Sequence, residues 1–242
     1  MFHSTSSKSE IPYCDSANSH HKTSVVICAL NEEKNLPYVL PKIPPWVDEI
    51  LLVDGNSKDK TLEIAKRFCP QIRILKQKGK GKGDALINGF NAATGDYLVA
   101  IDADGSTNPE EILKFVQPLV EQYDLCKGSR FVKDGGTSDM PIIRVFGNWC
   151  FTLITNILYK TKYTDLAYGF FSCRRDIWPI ICPNSRDFCV ETEITIKATK
   201  AKLKVVEVPS FELKRLNGKG NLRSFRDGSK ILWTIIKLRF SK

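Results

Sequence analysis

Two aspartates one residue apart, Asp102 and Asp104, follow directly after the apolar run 97–101. The run predicts a buried strand, and ligands bind beyond the carboxyl ends of strands in open α/β sheets. Paired carboxylates at such a position suit Mg²⁺ or Mn²⁺, which take oxygen ligands and leave coordination positions for substrate phosphates. The residues alone leave a second interpretation open, in which the aspartates begin a turn and cap the helix that follows Asn108.

Polar side chains also follow two earlier apolar runs. Asp54, after the run 49–53, is a suitable acceptor for the N–H group of a nucleobase, and Glu32, after Asn31, is suitable for a ribose hydroxyl. The same residue types begin turns and helices, so a purely structural role stays open at both positions.

The loop 76–83 carries four lysines, which alternate with glycines from position 78 onward. Its sequence matches neither the dinucleotide-binding nor the P-loop glycine motif. A flexible cationic loop can approach phosphates, and a solvated basic loop is the alternative.

These residues need a scaffold that brings strand ends together. Apolar strand-like runs begin near positions 24, 49, 72, 97 and 125, with helical patterns between them. This rhythm predicts an α/β fold with a mostly parallel, Rossmann-like sheet and helices on both faces. The carboxyl ends of its strands share one rim, which also receives Arg130. Beyond position 130 the pattern predicts helices over 142–159, 191–198 and 222–242, and strands near 171 and over 204–209.

Composition excludes several kinds of catalysis. The three histidines lie within the first 21 residues, so the body has no Ser-His-Asp or Cys-His centre and no histidine-ligated zinc. None of the eight cysteines forms a C-x-x-C pair, and they are interpreted as small buried residues in a reducing compartment. No pattern typical of a nucleic-acid-binding motif is present, so no nucleic-acid partner is expected.

Charge is concentrated at the end of the chain. Of the net charge of +9, the segment from Lys214 onward contributes nine basic residues and one acid, or +8. The segment 222–242 is predicted to be a basic amphipathic helix that either lies on a bilayer through Phe225, Trp233 and Phe240 or packs on the domain. Residues 1–22 are predicted to be a disordered tail without a signal peptide, and 23–221 a single folded domain. With no apolar run long enough to span a membrane, we expect a cytoplasmic, peripheral membrane protein.

The motifs together resemble one family. From Thr23 to about Lys237 the chain resembles the family 2 glycosyltransferases of GT-A fold, in particular the branch that makes polyprenyl (dolichol-type) phosphate sugars. The matching stretches are ALNEE (29–33), VDGNSKDKT (53–61), GKGDA (81–85), DAD (102–104), GSR (128–130), DLAYGF (165–170), FCVE (188–191), EVP (207–209) and RLNG (215–218).

The resemblance implies a role for each matching residue. The nucleotide-binding residues would be Ala29, Leu30, Asn31, Glu32, Asp54, Lys82, Asp102 and Ala103. Asp102 and Asp104 would hold Mg²⁺ or Mn²⁺ against the donor diphosphate. Arg130 and Arg215 would contact donor or acceptor phosphate. Two departures leave the donor sugar and acceptor open: Ser106 replaces a frequent glutamine, and Gly-Asn-Leu at 220–222 replaces Ser-Lys-Leu, where Arg223 or Arg226 could substitute for the lysine.

The expected reaction is metal-dependent, inverting sugar transfer from a UDP- or GDP-sugar to a polyprenyl phosphate at the cytoplasmic membrane face. A lipid phosphate is already a nucleophile and needs no strong base. The alternative is a family 2 enzyme that acts on a glycan or another hydroxyl. That acceptor requires a carboxylate base, for which Asp165 and Glu191 are the candidates.

Overall fold

The computed structural model describes residues 21–138, 140–218, 220 and 223–241. Within them the strands are β1 (Thr23–Ala29), β2 (Glu49–Asp54), β3 (Arg73–Lys76), β4 (Tyr97–Asp102), β5 (Leu125–Ser129), β6 (Gly136–Thr137), β7 (Phe171–Arg174), β8 (Val205–Pro209) and β9 (Phe211–Glu212). The α-helices are α1 (Leu36–Val39), α2 (Thr61–Phe68), α3 (Lys82–Ala92), α4 (Ile112–Val120), α5 (Ile142–Tyr159), α6 (Trp178–Ile181), α7 (Val190–Lys200) and α8 (Ser224–Phe240).

A seven-stranded sheet in the order β3-β2-β1-β4-β7-β5-β8 forms the centre of the fold. The position of β1 within this sheet explains why its sequence is continuously apolar. Val25 and Ile27 pack on one face of the sheet and Val26 on the other, and all three are fully buried. Helices α1, α2 and α4 cover the first face, and α3, α6 and α7 cover the second. The predicted α/β fold with helices on both faces is therefore confirmed.

One strand breaks the parallel pattern. Strand β7 lies between β4 and β5 and is antiparallel to both. The sequence predicts a strand near position 171 but not its place in the sheet. That place depends on the long connection from 130 to 170, which reverses the direction of the chain. At the sheet edge, β8 pairs parallel with β5. The segments that follow β5 and β8 also pair with each other, through the short strands β6 and β9.

Two predicted helices begin differently from their sequence pattern. The helix expected from Pro109 starts with a 3-10 turn over Pro109–Glu111, where Asn108 Oδ1 accepts from the Glu110 backbone N–H at 3.3 Å. The helical pattern between the first two apolar runs forms only the short α1, which ends in a 3-10 turn over Leu40–Lys42 that contains a second proline. Of the predicted tail, residues 1–20 lie outside the described residues. The carbonyl of Lys22 already accepts from the backbone of Asp96 and Tyr97.

Helix α5 is amphipathic in the opposite sense to a core helix. Its polar stripe of Asn148, Thr152 and Thr155 is buried, whereas its apolar stripe is exposed, at 87% for Ile142 and 60% for Phe146. The exposed stripe continues through Trp149, Leu153 and Ile157. The sequence predicts no membrane span here, but α5 is long and apolar enough to be one, as core helices of soluble proteins also are.

The predicted C-terminal helix is confirmed as α8, which packs on the domain. Its Ile231 and Ile235 are buried with Leu166, Cys189 and Ile196. The neighbouring stripe of α8 stays exposed and contains Phe225, Trp233, Ile236 and Phe240. The division of the chain at residue 221 remains a prediction.

Replacing Ile235 with alanine tests whether α8 is part of the folded core. Because Ile235 is fully buried, we expect Ile235→Ala to lower the free energy of unfolding by about 2–5 kcal/mol in urea denaturation. Ile236→Ala is the matched control, since Ile236 is 37% exposed, and it should change stability by no more than about 0.5 kcal/mol. Equal effects of the two substitutions would show that α8 does not pack as described.

Candidate active site

The sheet brings the predicted polar strand ends together. Ala29, at the end of β1, lies opposite Asp54, at the end of β2. On the other side of β1, Cys28 lies opposite Asp102, at the end of β4. The residues expected to bind nucleotide and metal therefore share the carboxyl rim of three adjacent strands, where ligands bind in open α/β sheets.

Lys82 joins two carboxylates at this rim. Its Nζ lies 2.8 Å from Asp102 Oδ1 and 3.0 Å from Glu191 Oε1. Although burial opposes the charged ammonium, the two carboxylates raise the pKa of Lys82 well above its usual value. Lys82 is thus a fixed positive charge at neutral pH.

Gly169 leaves space for the side chains of Lys82, Asp102 and Glu191. A Cβ at that position would meet Lys82 Nζ first, and would lie 3.1 Å from Asp102 Oδ2 and 3.3 Å from Glu191 Oε1. The loop that delivers Lys82 needs Gly81 as well, because its φ of +93° is in the region that favours glycine.

Arg215 joins a second pair of carboxylates. Its Nη1 donates to Asp104 Oδ2 at 2.8 Å, and its Nη2 donates to Glu32 Oε1. Ser106 orients Asp104, since its backbone N–H and hydroxyl both donate to Asp104 Oδ1, at 2.9 and 2.7 Å. The segment that carries Arg215 is hydrogen-bonded to the aspartate motif, from Leu216 N to Asp104 O at 3.2 Å. Burial raises the pKa of Glu32, an effect that Asn35 and Arg215 partly offset.

Arg130 and Asp165 form a buried, two-point ion pair. Arg130 Nε donates to Asp165 Oδ2 at 2.7 Å and Nη2 donates to Oδ1 at 2.9 Å. Arg130 Nη1 also donates to Glu212 Oε2 at 3.1 Å, and its guanidinium carbon lies 4.8 Å from the centre of the Tyr168 ring. Although burial opposes the charged form, Arg130 holds the pKa of Asp165 below its usual range. With both oxygens bound and no exposed surface, Asp165 is placed to hold Arg130.

A cavity of about 430 Å³ lies beside Arg215. We call it the rim cavity; its lining includes Leu30, Asn31, Asn35, Arg215 and Asn217. Local hydrogen bonds hold the adjoining strand ends, in which Asn31 Oδ1 accepts from the Lys58 backbone N–H at 2.7 Å and Asp54 Oδ1 accepts from that of Ser57 at 3.1 Å. Asn31 has a φ of +58°, which turns the chain sharply at the strand end.

A second cavity, of about 450 Å³, extends between α5 and α8. We call it the helix groove. One end is charged and contains Lys82, Asp102, Arg130 and Glu191. Its walls are apolar and are formed by Ile143, Phe146, Phe151, Phe225, Ile231 and Leu232. Since Asp102 lines this groove and Arg215, bound to Asp104, lines the rim cavity, the two aspartates lie between the cavities.

The structure separates the predicted site residues into these two places. Leu30, Asn31 and Arg215 line the rim cavity, whereas Lys82 and Asp102 line the helix groove. Ala29 and Ala103 are buried at strand ends, 4% and 2% exposed. Asn221 and Leu222, where the sequence departs from the family pattern, lie outside the described residues.

Three residues of the groove were missed by sequence reasoning: Arg144, Asn148 and Glu212. Arg144 is a lone basic residue in the first turn of an apolar helix, and its Nε donates to Ser224 Oγ at 3.2 Å. Asn148 accepts from the backbone of Leu166 and Ala167, and its buried Nδ2 has no partner among the described residues. Arg144 and Asn148 carry a visible signal, a polar residue in an apolar helix. Glu212 has no such signal, because only the pairing of β6 and β9 places it.

Comparison with known proteins agrees with this geometry. The model of the family described as Glycosyl transferase family 2 matches residues 24–178, more than half of the chain. The chain belongs to glycosyl transferase family 2. It is thereby a glycosyltransferase, and the predicted enzyme class is confirmed.

Curated relatives of this family 2 glycosyltransferase include two archaeal proteins with names that state an acceptor. A dolichol-phosphate mannosyltransferase of Pyrococcus furiosus is 32% identical over 211 residues, which are 84% of this chain and 59% of the relative. The chain thus spans about three fifths of that protein's length. A UDP-N-acetylglucosamine–dolichyl-phosphate N-acetylglucosaminyltransferase of Methanococcus voltae is 28% identical over 241 residues, covering 90% of this chain and 96% of the relative.

Solved structures share the fold. The glucosyl-3-phosphoglycerate synthase of Mycobacterium tuberculosis, in complex with Mn²⁺, UDP and glucosyl-3-phosphoglycerate, superposes with a TM-score of 0.72 at 23% identity and covers 90% of this chain and 80% of that one. The predicted GT-A-like fold of the family 2 glycosyltransferase is confirmed by this likeness.

The aspartate pair of the glycosyltransferase fits a divalent cation by donor chemistry. Mg²⁺ is commonly held by one or two carboxylates, with substrate phosphates and water in the remaining positions. Asp102 and Asp104 each present carboxylate oxygens at the rim, with side chains that are 26% and 18% exposed. Both carboxylates already contact a cationic side chain, so this is a place where the fold stabilises positive charge.

Removing Asp165 tests the role of the buried ion pair. Asp165→Ala would leave Arg130 buried without its main partner, and we expect the free energy of unfolding to fall by about 3–5 kcal/mol in chemical denaturation. The matched control is Asp176→Ala, which removes the partner of Arg174 from a pair whose acidic side chain is 60% exposed, and its cost should be below about 1 kcal/mol. A stable Asp165→Ala protein that has lost only activity would instead favour a direct catalytic role.

Proposed function

We propose that this family 2 glycosyltransferase transfers a sugar from a nucleotide diphosphate sugar to a polyprenyl phosphate at the membrane surface. The observation that carries the proposal is the helix groove, whose charged end lies at Asp102 and whose apolar walls run between α5 and α8. A ligand with a phosphate head and a hydrocarbon tail matches this division. The names of the archaeal relatives support the same acceptor class.

The rim cavity is the proposed donor site. Glu32, which contacts the cavity residue Arg215, and Asp54, at the end of β2, are buried acceptors, 6% and 3% exposed, and suit the ribose and base of a nucleotide. The diphosphate would then lie toward Asp104 and Arg215. When it binds, the guanidinium of Arg215 can exchange its contact with Asp104 for one with phosphate, and charge-assisted bonds of this kind are among the strong ones.

Asp102 and Asp104 would hold Mg²⁺ or Mn²⁺ against the donor diphosphate. The bound ion would supply neutralisation of the charge that grows on the leaving diphosphate. Lys82 adds a fixed positive charge beside Asp102, 2.8 Å away, and a preorganised charge of this kind stabilises a transition state without reorganisation.

The acceptor phosphate would enter the charged end of the groove. Arg144 at its lining offers a guanidinium, and the buried Asn148 amide, unpartnered among the described residues, offers an N–H donor. An oxygen of the acceptor phosphate forms the new bond to the anomeric carbon, while the bond from that carbon to the diphosphate breaks and its electrons leave with the diphosphate. A single displacement of this kind inverts the configuration. It needs no general base, so Asp165 can serve to position Arg130.

A hydroxyl acceptor is the second candidate, and one observation favours it. The carboxylate of Glu191 lines the charged end of the groove and is the remaining candidate for the base that a hydroxyl requires. Its Oε1 lies 3.0 Å from Lys82 Nζ. The apolar walls of the groove favour the lipid phosphate over this alternative.

The exposed apolar stripe of α5 supports a membrane location. Ile142, Phe146, Trp149, Leu153 and Ile157 form a continuous stripe on this helix, and each is at least 43% exposed. Exposed apolar surfaces of this extent mark interaction sites, and this one adjoins the mouth of the groove through Phe146. The cysteines of the described residues are all free, which fits a reducing compartment such as the cytoplasm.

The transfer reaction is tested with labelled UDP- and GDP-sugars and a polyprenyl phosphate in detergent. We expect a product that extracts into organic solvent, with activity lost on chelation and restored by Mg²⁺ or Mn²⁺. Asp104→Asn should lower kcat by about 10²–10³-fold, whereas Asp134→Asn, in an exposed turn, should leave it unchanged. A labelled product that forms only with water-soluble hydroxyl acceptors would favour the second candidate.

The membrane location is tested by sedimentation with vesicles of pure phosphatidylcholine. The double substitution Phe146→Ser and Trp149→Ser should weaken binding by at least about tenfold, because the transfer of each aromatic side chain out of water favours binding. The control is Tyr38→Ser with Phe68→Ser, which removes two aromatic side chains that are 60% and 40% exposed elsewhere. Equal loss in both proteins, or no binding of the unchanged protein, would contradict the proposed role of α5.

A further inference from the structure

A third cavity, of about 300 Å³, lies against α8 and shares no lining residue with the helix groove. Its wall includes three basic side chains and one aromatic ring, from Lys80, Arg186, Lys230 and Trp233. We call it the basic cleft. It includes the part of the lysine-glycine loop that the proposed reaction does not use, since only Lys82 of that loop reaches the site.

Positive charge exceeds negative charge in the basic cleft. Asp187 is the acid in its wall, and it is paired with Lys230 at 2.7 Å. Arg186 has a longer contact of 3.4 Å with Asp84, and Lys80 makes no ion pair with the described residues. The local excess of cations attracts an anion.

Hydrogen bonds and close backbone contacts fix the two segments that form the basic cleft. Asp84 N donates to Arg186 O at 3.2 Å, and the Asp84 carboxylate accepts from Gly79 N at 3.0 Å. A Cβ at Gly83 would lie 2.5 Å from the carbonyl oxygen of Ser185. The close approach of these two segments fixes the loop beside Arg186.

Trp233 connects the basic cleft to the exposed apolar stripe of α8. The ring lines the cleft, yet 65% of the residue is exposed, and Phe240 on the same stripe is 81% exposed. Tryptophan rings are favourable at the level of lipid headgroups, where one side is apolar and the other is wet. The cleft therefore opens at the edge of the surface that would face a bilayer.

We propose that the basic cleft binds the phosphate of an anionic phospholipid in the membrane that supplies the acceptor. The proposal rests on the membrane location proposed above and adds a second, non-catalytic lipid site on α8. Bound there, a headgroup would fix the rotation of α8 on the bilayer and so hold the mouth of the helix groove toward the lipid. Free phosphate has the same chemistry, so the test separates the two sources.

The test compares binding of the full chain to vesicles of phosphatidylcholine with and without about a quarter of phosphatidylglycerol. K80Q with R186Q should lose about 25-fold in binding to the anionic vesicles, or about fivefold for each charge, and keep its binding to the neutral ones. K230Q alone should lose about fivefold. The matched control is K42Q with K114Q, which removes two exposed basic residues outside the cleft and away from α8; it should lose less than twofold.

Three results would overturn the proposal. Equal losses in the cleft and control variants would mean that diffuse charge, not a site, attracts the membrane. No preference of the unchanged protein for anionic vesicles would exclude a lipid ligand. A rise in Tm with inorganic phosphate that K80Q with R186Q abolishes, without any vesicle preference, would assign the cleft to a soluble anion.

The transferase assay in detergent separates this proposal from the proposed function. The cleft variants should retain full activity toward a dispersed polyprenyl phosphate, since neither Lys80 nor Arg186 lies at the charged end of the groove. Vesicle preference without sugar transfer would retain the lipid site and reject the reaction. Sugar transfer with no effect of the cleft variants on vesicle binding would retain the reaction and reject the lipid site.

Discussion

Negative charge gathered at one rim of the sheet is the constraint on which the site depends. Four carboxylates lie there, and two cations bridge them: Lys82 holds Asp102 and Glu191, and Arg215 holds Asp104 and Glu32. Like charges gathered in one place repel, and an opposite charge placed between them offsets that repulsion. Each cation therefore holds two of the carboxylates at the rim in place.

The two bridging cations also separate the proposed donor side of the site from the proposed acceptor side. Arg215 faces the rim cavity and Lys82 faces the helix groove, with the aspartate pair between them. The chemistry would occur at this boundary, where a phosphate from either side meets positive charge. Helix α8 extends the acceptor side outward, since one of its flanks lines the groove and another lines the basic cleft.

Much of the fold was predictable because its signals are local. The apolar runs that become β1, β2 and β4 are each followed by a polar residue, so strand ends and rim residues such as Asp54 could be named in advance. The place of β7 could not, since strand pairing depends on contacts far along the chain. The role of Asp165 could not be predicted either. Its sequence context allows a general base, and only the tertiary structure shows that both of its carboxylate oxygens accept from Arg130.

The sequence by itself determined which residues could do chemistry and at which strand ends they lie. Strands and helices each give a characteristic spacing of apolar residues, which can be recognised within a short stretch of sequence. Tertiary structure decided which charges meet. Lys82 and Glu191 are far apart in the chain and come into contact through the packing of α3 against the segment before α7. It also decided that α5 turns Asn148 inward and Trp149 outward. Helical periodicity shows that two faces differ, but only packing decides which of them meets the solvent.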